Sequence, residues 1–269
     1  MHFTSLASGS SGNAILVGEA GRHFLIDCGI SGVRLLHNLS QLNIAASEIE
    51  GIVVTHEHSD HIRGVGILAR KLKIPVYTTE GLWEEITPLL GDLAESQRKE
   101  VEKEFSCAGL DVVLYPTSHD SRESYGLKIT RPSEQGRRDL VVGVATDSGV
   151  ITEEMHRHLQ GCDAYVLEAN HDEQMLKHGP YPAHLKKRIL SQYGHLENEK
   201  AAEGLLTWLT GKTQRVLLAH LSEENNTPGV AFGTVKRMLR DSRRSKEFKN
   251  LMLHVAPRHV PHSLLVLKE

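Results

Sequence analysis

The sequence predicts an α/β protein in which two mixed β-sheets are covered by helices. Short apolar runs, typical of buried strands, alternate with segments of helical periodicity along all 269 residues. Polar side chains gather directly after several of these runs, where α/β folds place their chemistry. No internal repeat, low-complexity segment or long linker divides the chain, so we expect one domain over residues 1–269.

The first hundred residues predict strands and helices in turn. AILVG, RHFLIDCG, GIVVT and VYTT read as strands. VRLLHNLSQLNI has helical spacing, with these residues on one face: Leu35, Leu36, Leu39 and Leu42. DHIRGVGILARKLKI predicts a second helix, which Pro75 helps to end, with these residues turned inward: Ile62, Val65, Leu68, Ala69 and Leu72. The charge run at 92–104 is expected to be a solvated face or loop.

The remaining chain predicts six more strands and three helices. DVVLYPTSHD, YGLKIT, LVVGVATDSG, CDAYVLEANHD and QRVLLAH read as strands that end in polar residues. YPAHLKKRILSQYGH and ENEKAAEGLLTWLTG read as helices, and a basic helix is expected over 234–249. A last strand, NLMLHV, closes the predicted set of elements.

Composition excludes several classes of protein. The net charge is −3, so the chain as a whole lacks the excess of positive charge that would indicate nucleic-acid binding. The three cysteines, Cys28, Cys107 and Cys162, form no CxxC pair, which argues against a zinc ribbon or a disulfide frame and favours a reducing, cytoplasmic setting. We expect no signal peptide and no membrane span, because neither pattern occurs in the sequence.

The stretch THEHSDH at 55–61 concentrates metal-ligand residue types after a predicted strand. Two imidazoles in His56-x-His58 point to one side of an extended segment. Asp60 and His61 follow at the start of a helix, where they can face a second ion beside the first. Further ligands must come from distant strand ends, and His119, Asp147 and His220 are the candidates. A carboxylate such as Asp147 can bridge two cations in a two-metal hydrolase.

These residues carry a resemblance to a known fold family. THEHSDH resembles the HxHxDH signature of the metallo-β-lactamase fold, and Asp27, His119, Asp147 in TDSG and His220 in LAHLS follow in the family's order. The resemblance implies an αββα sandwich with a dinuclear site between the sheets. It implies His56, His58 and His119 on one metal, Asp60, His61 and His220 on the other, and Asp147 shared. Asp27 would order the ligand loop.

Two further features indicate a branch of that family. True β-lactamases carry a cysteine where this chain has Asp147, which argues against β-lactam cleavage. LEANHD followed by GHLEN resembles the Glu and His pair of ribonuclease Z and related phosphodiesterases. By that match Glu168 orients His195, which protonates the leaving oxygen or holds a phosphate. The catalytic set implied by the resemblance is therefore His195, Glu168, Asp60 and Asp147.

The chain is also similar to the YycJ/WalJ group. The segments that carry this similarity are LASGSSGNAILV, TDSG, LEANHD, GPYP and LAHLSEENNTP. Membership implies a 5′→3′ exonuclease on DNA, most simply single-stranded, with a role in DNA repair. Two divalent ions, Mn²⁺ or Zn²⁺, are the implied cofactors. One departure stands out, because Glu197 occupies the place where GHLSN is expected to have serine.

Several polar and basic residues are candidates for substrate contacts. The small-residue loop at 8–13 could offer hydroxyls and backbone N–H groups to a phosphate, although a plain tight turn explains it equally well. The full candidate set is Ser8, Ser10, Ser11, Asn13, Asn170, His171, Ser222 and Asn225. A DNA backbone could follow either of two basic segments, 186–188 and the helix at 234–249, whose alternative is a solvated face. Tyr125 and Tyr181 are the only aromatic residues near the motifs, and their rings are the candidates on which nucleobases could stack.

Two other functions stay open on the same residues. An RNA-processing nuclease would use the same metal site, and DNA is favoured over RNA by the resemblance alone. A hydrolase of small cyclic phosphodiesters or thioesters would show a compact closed pocket in place of an open, positively lined groove. A non-catalytic metal-binding protein would be expected to lose ligands. A monomer is compatible with the sequence, which carries no signal for oligomerisation.

Overall fold

In a computed structural model, the chain folds into two seven-stranded sheets that pack face to face. The structure describes residues 1–133 and 138–269. The strands are β1 His2–Ala7, β2 Ala14–Glu19, β3 Arg22–Ile26, β4 Ile49–Val53, β5 Val76–Thr78, β6 Arg98–Glu100, β7 Glu104–Cys107, β8 Leu110–Pro116, β9 Tyr125–Arg131, β10 Leu140–Ala145, β11 Ala164–Glu168, β12 Arg215–Ala219, β13 Met252–Val255 and β14 Leu265–Val266. The α-helices are α1 Gly32–Gln41, α2 Ser59–Ile62, α3 Val65–Leu72, α4 Glu80–Leu90, α5 Glu153–Leu159, α6 Glu173–His178, α7 Ala183–Ile189, α8 Asn198–Trp208 and α9 Pro228–Asp241.

Both sheets are mixed, as the sequence predicts. The first sheet has the order β14-β1-β2-β3-β4-β5-β6, antiparallel from β14 to β3 and parallel from β3 to β6. The second has the order β13-β12-β11-β10-β9-β8-β7, antiparallel from β7 to β10 and parallel from β10 to β13. The parallel halves bring the carboxyl ends of β3, β4, β10, β11 and β12 to one edge of the molecule, where polar residues follow each strand.

Three apolar clusters define four layers. One cluster joins the inner faces of the two sheets and includes Phe3, Phe24 and Val144. A second packs α1, α3 and α4 on the first sheet, and a third packs α5, α8 and α9 on the second. Trp208 is fully buried in that third cluster. Because each sheet buries both faces, the arrangement is an αββα sandwich.

Most of the predicted elements form, and α1 illustrates why. Ser31 caps the helix by accepting a hydrogen bond from the backbone N–H of Arg34 at 3.3 Å. Leu35 and Leu39 are completely buried, and Leu36 and Leu42 pack beside them. The leucine face predicted from periodicity is therefore confirmed.

The single helix predicted over DHIRGVGILARKLKI is wrong, because the structure divides it into α2 and α3. The break lies at Gly64, whose N–H donates to the carbonyl of Cys28 at 2.7 Å. A Cβ atom at residue 64 would lie 2.1 Å from the carbonyl oxygen of Ile30. Close packing against the end of β3 thus requires glycine and interrupts the helical ladder.

The charge run at 92–104 is largely exposed, as expected for a solvated face, and it also contains an unpredicted strand. This strand, β6, is an edge of the first sheet, where charged side chains protect an open edge. The basic helix starts and ends earlier than predicted, at Pro228 and Asp241. Thr227 caps it by accepting from the N–H of Val230 at 3.1 Å, with proline in the favoured first position.

Besides β6, the sequence patterns missed β1, β7, β14, α4, α5 and α6. β14 returns from the C-terminus to pair with β1, so the two ends of the chain meet in one sheet. Across residues 1–133 and 138–269, no helix has both the length and the apolar character needed to cross a bilayer.

Candidate metal centre

The segment between β4 and α3 supplies four of the predicted ligands, and the fold brings three more to them from other strand ends. His56, His58 and His119 form a first triad in which one ligand nitrogen from each ring lies within 4.8 Å of the others. His119 follows β8, and its Nδ1 donates to the carbonyl of Gly194 at 3.0 Å. That bond turns Nε2 of His119 toward the triad, 3.2 Å from Nδ1 of His58.

Asp60, His61 and His220 form a second triad of the same dimensions. The carboxylate Oδ2 of Asp60 lies 3.6 Å from Nε2 of His61 and 3.7 Å from Nε2 of His220. Burial opposes ionisation of Asp60, but the two histidines outweigh it and hold the pKa of this carboxyl well below its usual range.

Asp147 lies between the two triads. Its Oδ2 is 3.3 Å from Nε2 of His61, and its Oδ1 is 3.2 Å from Nδ1 of His220 and 3.9 Å from Nε2 of His119. Asp147 also joins His56 and His61 in a third group of potential ligands within 4.8 Å. One carboxylate therefore contacts members of both triads, which is the position of a bridging ligand.

The donor set fits divalent metal ions. Three buried ligand atoms have no hydrogen-bond partner among the described residues: Nε2 of His56, Nε2 of His220 and Oδ2 of Asp147. A buried polar atom without a partner costs about 1–3 kcal/mol, so three in one site indicate ligands that a cation satisfies. Burial and the neighbouring imidazoles hold the pKa of His56 well below its usual value, which keeps the ring in the neutral, metal-binding form.

Asp27 lies behind the ligand loop, as the resemblance implies. Its carboxylate accepts from the N–H of Thr55 at 2.9 Å and from the hydroxyl of Thr55 at 2.8 Å, and it contacts Nδ1 of His61 at 2.7 Å. Burial alone would lower the pKa of His61, but the carboxylates of Asp147 and Asp27 raise it to about 9. Asp27 thus fixes the ring so that Nε2 points into the site.

Glu168 is buried at the end of β11 and accepts from four donors. Its Oε2 accepts from the backbone N–H groups of Ser148 and Leu196, at 3.0 and 3.1 Å. Its Oε1 lies 2.8 Å from Nδ1 of His195 and 2.8 Å from Nδ1 of His220. The predicted contact with His195 is present, and sequence reasoning missed that the same oxygen also orients a metal-triad histidine.

Three site residues have left-handed backbone, which is uncommon outside glycine. The φ angles are 61° at Asp27, 57° at Asp147 and 56° at His220. Each of these residues follows the carboxyl end of a strand, where a left-handed residue turns the chain sharply. Such strained positions cluster at functional sites because the surrounding contacts hold them in place.

The candidate substrate residues of the 8–13 loop divide into two kinds. The hydroxyl of Ser8 accepts from the N–H of His220 at 2.7 Å, and Nδ2 of Asn13 lies 3.0 Å from Nε2 of His61 and 3.3 Å from Oδ2 of Asp60. These two residues are buried and support the second triad. Ser10 and Ser11 are exposed, and Ser10 lines the cavity at the metal centre.

The candidates near residues 170 and 222 divide in the same way. Asn170 and Ser222 line the cavity at the metal centre, and Nδ2 of Asn170 also donates to the carbonyl of His220 at 2.9 Å. Asn225 is fully buried, where its amide donates to Ser222 at 3.3 Å, so it supports a loop and does not face the cavity. His171 is buried and lines a neighbouring cavity.

The cavity at the metal centre has a volume of about 250 Å³. His195 lines it together with members of both triads, and its side chain is 20% exposed. Tyr181 and Arg188 lie on the same wall, contributed by α7 and the turn before it. Tyr125, the other aromatic candidate, lies apart from this cavity and bonds to Glu123 at 3.1 Å.

The two basic segments stand in different relations to the cavity. Arg188 from the 186–188 segment lines it and pairs with Asp120. No residue of the 234–249 segment lines it within the described chain, and three of its arginines are paired: Arg237 with Glu199, Arg240 with Asp241 and Arg244 with Glu247. The structure therefore favours 186–188 as the basic surface next to the site.

A family model described as a beta-lactamase superfamily domain matches residues 22–221. The chain belongs to the beta-lactamase superfamily. Within this superfamily it is similar to exodeoxyribonuclease YycJ of Bacillus anthracis, with 37% identity over 245 residues covering 90% of each chain. It is 35% identical over 241 residues to exodeoxyribonuclease WalJ of Streptococcus pneumoniae, covering 88% of this chain and 87% of that relative.

The solved structures agree at the level of the fold. The metallo-beta-lactamase fold protein YhfI from Bacillus subtilis superposes with a TM-score of 0.68 at 16% identity, covering 97% of this chain and 98% of YhfI. The predictions of a metallo-β-lactamase sandwich, of similarity to the YycJ/WalJ group and of a hydrolase are confirmed.

Proposed function

We propose that this chain is a two-metal phosphodiesterase that degrades single-stranded DNA from the 5′ end, with a role in DNA repair. The observation that carries the proposal is the pair of ligand triads joined through Asp147, beside a histidine held by Glu168. The exodeoxyribonuclease names of the two relatives support DNA as the substrate.

Two divalent ions are assigned to the triads. His56, His58 and His119 would hold one, Asp60, His61 and His220 would hold the other, and Asp147 would serve both. Nitrogen and carboxylate ligands suit Zn²⁺ or Mn²⁺. When bound, the ions supply a Lewis acid for the phosphate and a water activated near neutral pH.

His195 is assigned as the general acid. Glu168 only accepts at Oε1, so Nδ1 of His195 carries a proton and Nε2 faces the cavity. In the hydrolysis the water supplies a new hydroxyl on phosphorus, and the ring gives a proton from Nε2 to the 3′ oxygen as the bond between that oxygen and phosphorus breaks. The proton that the water releases restores the ring.

The remaining cavity residues position the substrate. Arg188 lines the cavity and pairs with Asp120, and the free part of its guanidinium is suited to a non-bridging phosphate oxygen. Ser10 and Ser222 offer hydroxyls to the same group, and the side chain of Asn170 fixes the turn that carries His220. Ser11 is also exposed but lies outside the cavity lining, where its hydroxyl can meet the DNA beyond the cavity.

A gel assay with 3′-labelled single-stranded oligonucleotides tests the proposal. A descending ladder with Mn²⁺ or Zn²⁺ that EDTA abolishes is expected, with slower cleavage of duplex DNA and of RNA. Asp147→Ala should abolish the ladder, whereas His37→Ala, at an exposed histidine of α1, should cut as fast as the wild type. Wild-type turnover in Asp147→Ala would refute the bridging role, and cleavage of RNA alone would replace DNA as the substrate.

The cellular setting follows from the same chemistry. Cys28, Cys107 and Cys162 are free and buried, which suits the reducing cytoplasm where a DNA exonuclease works. We assign the chain a single catalytic domain over residues 1–269 that acts as a monomer. Size-exclusion chromatography with light scattering checks this assignment, and a stable dimer would overturn it.

A further inference from the structure

One side of α7 and of the turn before it lines the cavity at the metal centre. The residues that do so are Tyr181, Leu185, Arg188 and Ile189, which recur every three or four positions. Side chains at this spacing share one face of a helix, so the cavity meets a single face of α7. We call these four residues the α7 wall. None of them is a proposed metal ligand or the proposed acid, so the α7 wall is available to the substrate.

Tyr181 brings a flat aromatic ring to the α7 wall. The other rings that line the cavity belong to proposed metal ligands and to the proposed acid: His58, His119, His195 and His220. Tyr181 is half-buried, and within the part of the chain that the structure describes it has neither a hydrogen bond nor an aromatic neighbour. An aromatic ring without a partner beside a phosphate site offers a surface on which a nucleobase can stack.

The backbone around Tyr181 is restrained on both sides, because the residue lies between Pro180 and Pro182. Proline fixes its own φ angle and holds the residue before it in an extended conformation. A Cβ atom at Gly179 would lie 2.6 Å from the carbonyl oxygen of Met175, so the chain also packs closely where α6 ends. The ring is therefore placed before any DNA arrives, which reduces the entropy lost on binding.

Arg188 gives the α7 wall a site for phosphate. Its Nε pairs with Asp120, whose backbone N–H donates to the carbonyl of Tyr193 at 3.0 Å. Across residues 1–133 and 138–269, Nη1 and Nη2 of Arg188 have no hydrogen-bond partner. Asp120 thus holds the guanidinium at one edge and leaves its two terminal NH₂ groups for phosphate oxygens.

Leu185 lies between these two groups along the chain. Leu185 and Arg188 are three positions apart on α7, so their Cβ atoms are about 5–6 Å apart. The sequence of α7, AHLKKRI, contains no acidic residue that would repel a phosphate. The α7 wall therefore presents an aromatic ring, an aliphatic side chain and a cation in that order, which matches the base, sugar and phosphate of one nucleotide.

We propose that the α7 wall binds a nucleotide next to the scissile phosphate, and that Tyr181 stacks on its base. The sugar then lies against Leu185, and the phosphate meets Arg188. This inference rests on the proposed nuclease function and deepens it by naming the residue that contacts the base. Every base has a flat face, so the α7 wall accepts any of the four nucleotides. A stack of this kind strengthens binding by about 5–150-fold.

Single abasic nucleotides test the contact. Two 3′-labelled oligonucleotides carry an abasic site at the first or at the second position from the 5′ end, and their first cut is compared with that of the intact strand. In the wild type, the abasic site at one of these positions should slow the cut by about 5–150-fold. Tyr181→Leu should cut the intact strand at that lower rate, with less than about a twofold difference between intact and abasic strands. Tyr181→Phe keeps the ring and should behave as the wild type.

His184→Ala is the matched control, because His184 is an exposed ring of α7 outside the cavity lining. It should keep the wild-type ratio of intact to abasic cleavage. A loss of folded protein slows both strands equally, so this ratio reports the base contact alone. A wild-type ratio near one at both positions, or an undiminished ratio in Tyr181→Leu, would overturn the assignment. If the wild type cuts no oligonucleotide with either metal, the nuclease proposal fails and the base contact falls with it.

Stacking also predicts a preference by the size of the base. A purine has the larger face, so a strand with a purine at the sensitive position should be cut at least about twofold faster than one with a pyrimidine. The preference should disappear in Tyr181→Leu and persist in Tyr181→Phe. An equal preference in the wild type and in Tyr181→Leu would contradict the contact with Tyr181, because the preference would then come from the DNA itself.

Discussion

Replacing Glu168 with glutamine tests whether one buried carboxylate orients both a metal ligand, His220, and the proposed general acid, His195. Its Oε2 accepts from two backbone N–H groups, and its Oε1 meets Nδ1 of His195 and of His220. A carboxylate only accepts, so both Nδ1 atoms carry protons and both Nε2 atoms are left for chemistry. An amide has one oxygen and one NH₂ group, so either orientation sets that group against two donors.

The size of the effect follows from the bonds that are lost. Each hydrogen bond to a charged acceptor contributes about 1.5–3 kcal/mol, so losing two lowers the free energy of unfolding by about 3–6 kcal/mol. The histidines can recover part of this by moving their protons to Nε2. In that tautomer, however, Nε2 of His220 can no longer bind a metal. Loss of such a supporting partner lowers metal affinity by about 10–100-fold, and loss of an oriented acid lowers turnover by about 10²–10⁴-fold.

Three measurements separate these contributions: urea unfolding, competition for Zn²⁺ with a chromogenic chelator, and oligonucleotide turnover at saturating metal. Glu50→Gln is the matched control, because Glu50 lies in β4 and pairs with Arg22 at 2.6 Å on the surface. The free energy of unfolding of that variant should fall by no more than about 0.5 kcal/mol. Wild-type metal affinity together with wild-type turnover in Glu168→Gln would refute the shared-carboxylate reasoning.

Three further changes probe single contacts. Asp27→Ala frees Thr55 and His61 and should weaken metal binding by about 10–100-fold in chelator competition, and unchanged affinity would deny Asp27 its orienting role. Thr227→Ala removes the cap of α9 and should cost about 1 kcal/mol in urea unfolding with turnover intact; no loss would mean the cap bond is not formed in solution. Burial lowers the pKa of His171 from 6.5 to about 4, so the unfolded chain binds the proton first. The free energy of unfolding of the wild type should therefore fall by up to about 3 kcal/mol as the pH falls from 6.5 to 4. His171→Gln should lack this part of the loss in unfolding curves taken across that range, and parallel curves would contradict the assignment.

The sequence predicts the layers of the fold and the ligand set because both depend on patterns of residues that are close together in the chain. His56, His58, Asp60 and His61 are neighbours in the chain, and the leucines of α1 repeat at helical spacing. The other three ligands, His119, Asp147 and His220, could be predicted because they follow strand ends in the order that the resembling family shows. The distances in the site then follow from parallel strands ending at one edge.

Features that depend on contacts distant in sequence could not be predicted. The break at Gly64 results from the carbonyl groups of Cys28 and Ile30, which no local pattern reveals. Aspartate and histidine are enriched in left-handed backbone, but most of them adopt other conformations, so residue type alone does not identify Asp27, Asp147 and His220 as left-handed. The cavity next to the metal centre that His171 lines is formed by separate segments between residues 149 and 207, so periodicity in any one of them gives no indication of it.

The shared oxygen of Glu168 links the two proposed functions of the site. Oε1 lies 2.8 Å from Nδ1 of both His195 and His220, so a movement of either ring changes the hydrogen bond available to the other. A metal held at Nε2 of His220 fixes that ring, and the carboxylate is then fixed by its two backbone donors and by His220 together. His195 is consequently best oriented when the second triad is filled. We therefore expect proton delivery by His195 to depend on metal occupancy of the second triad through this one oxygen atom.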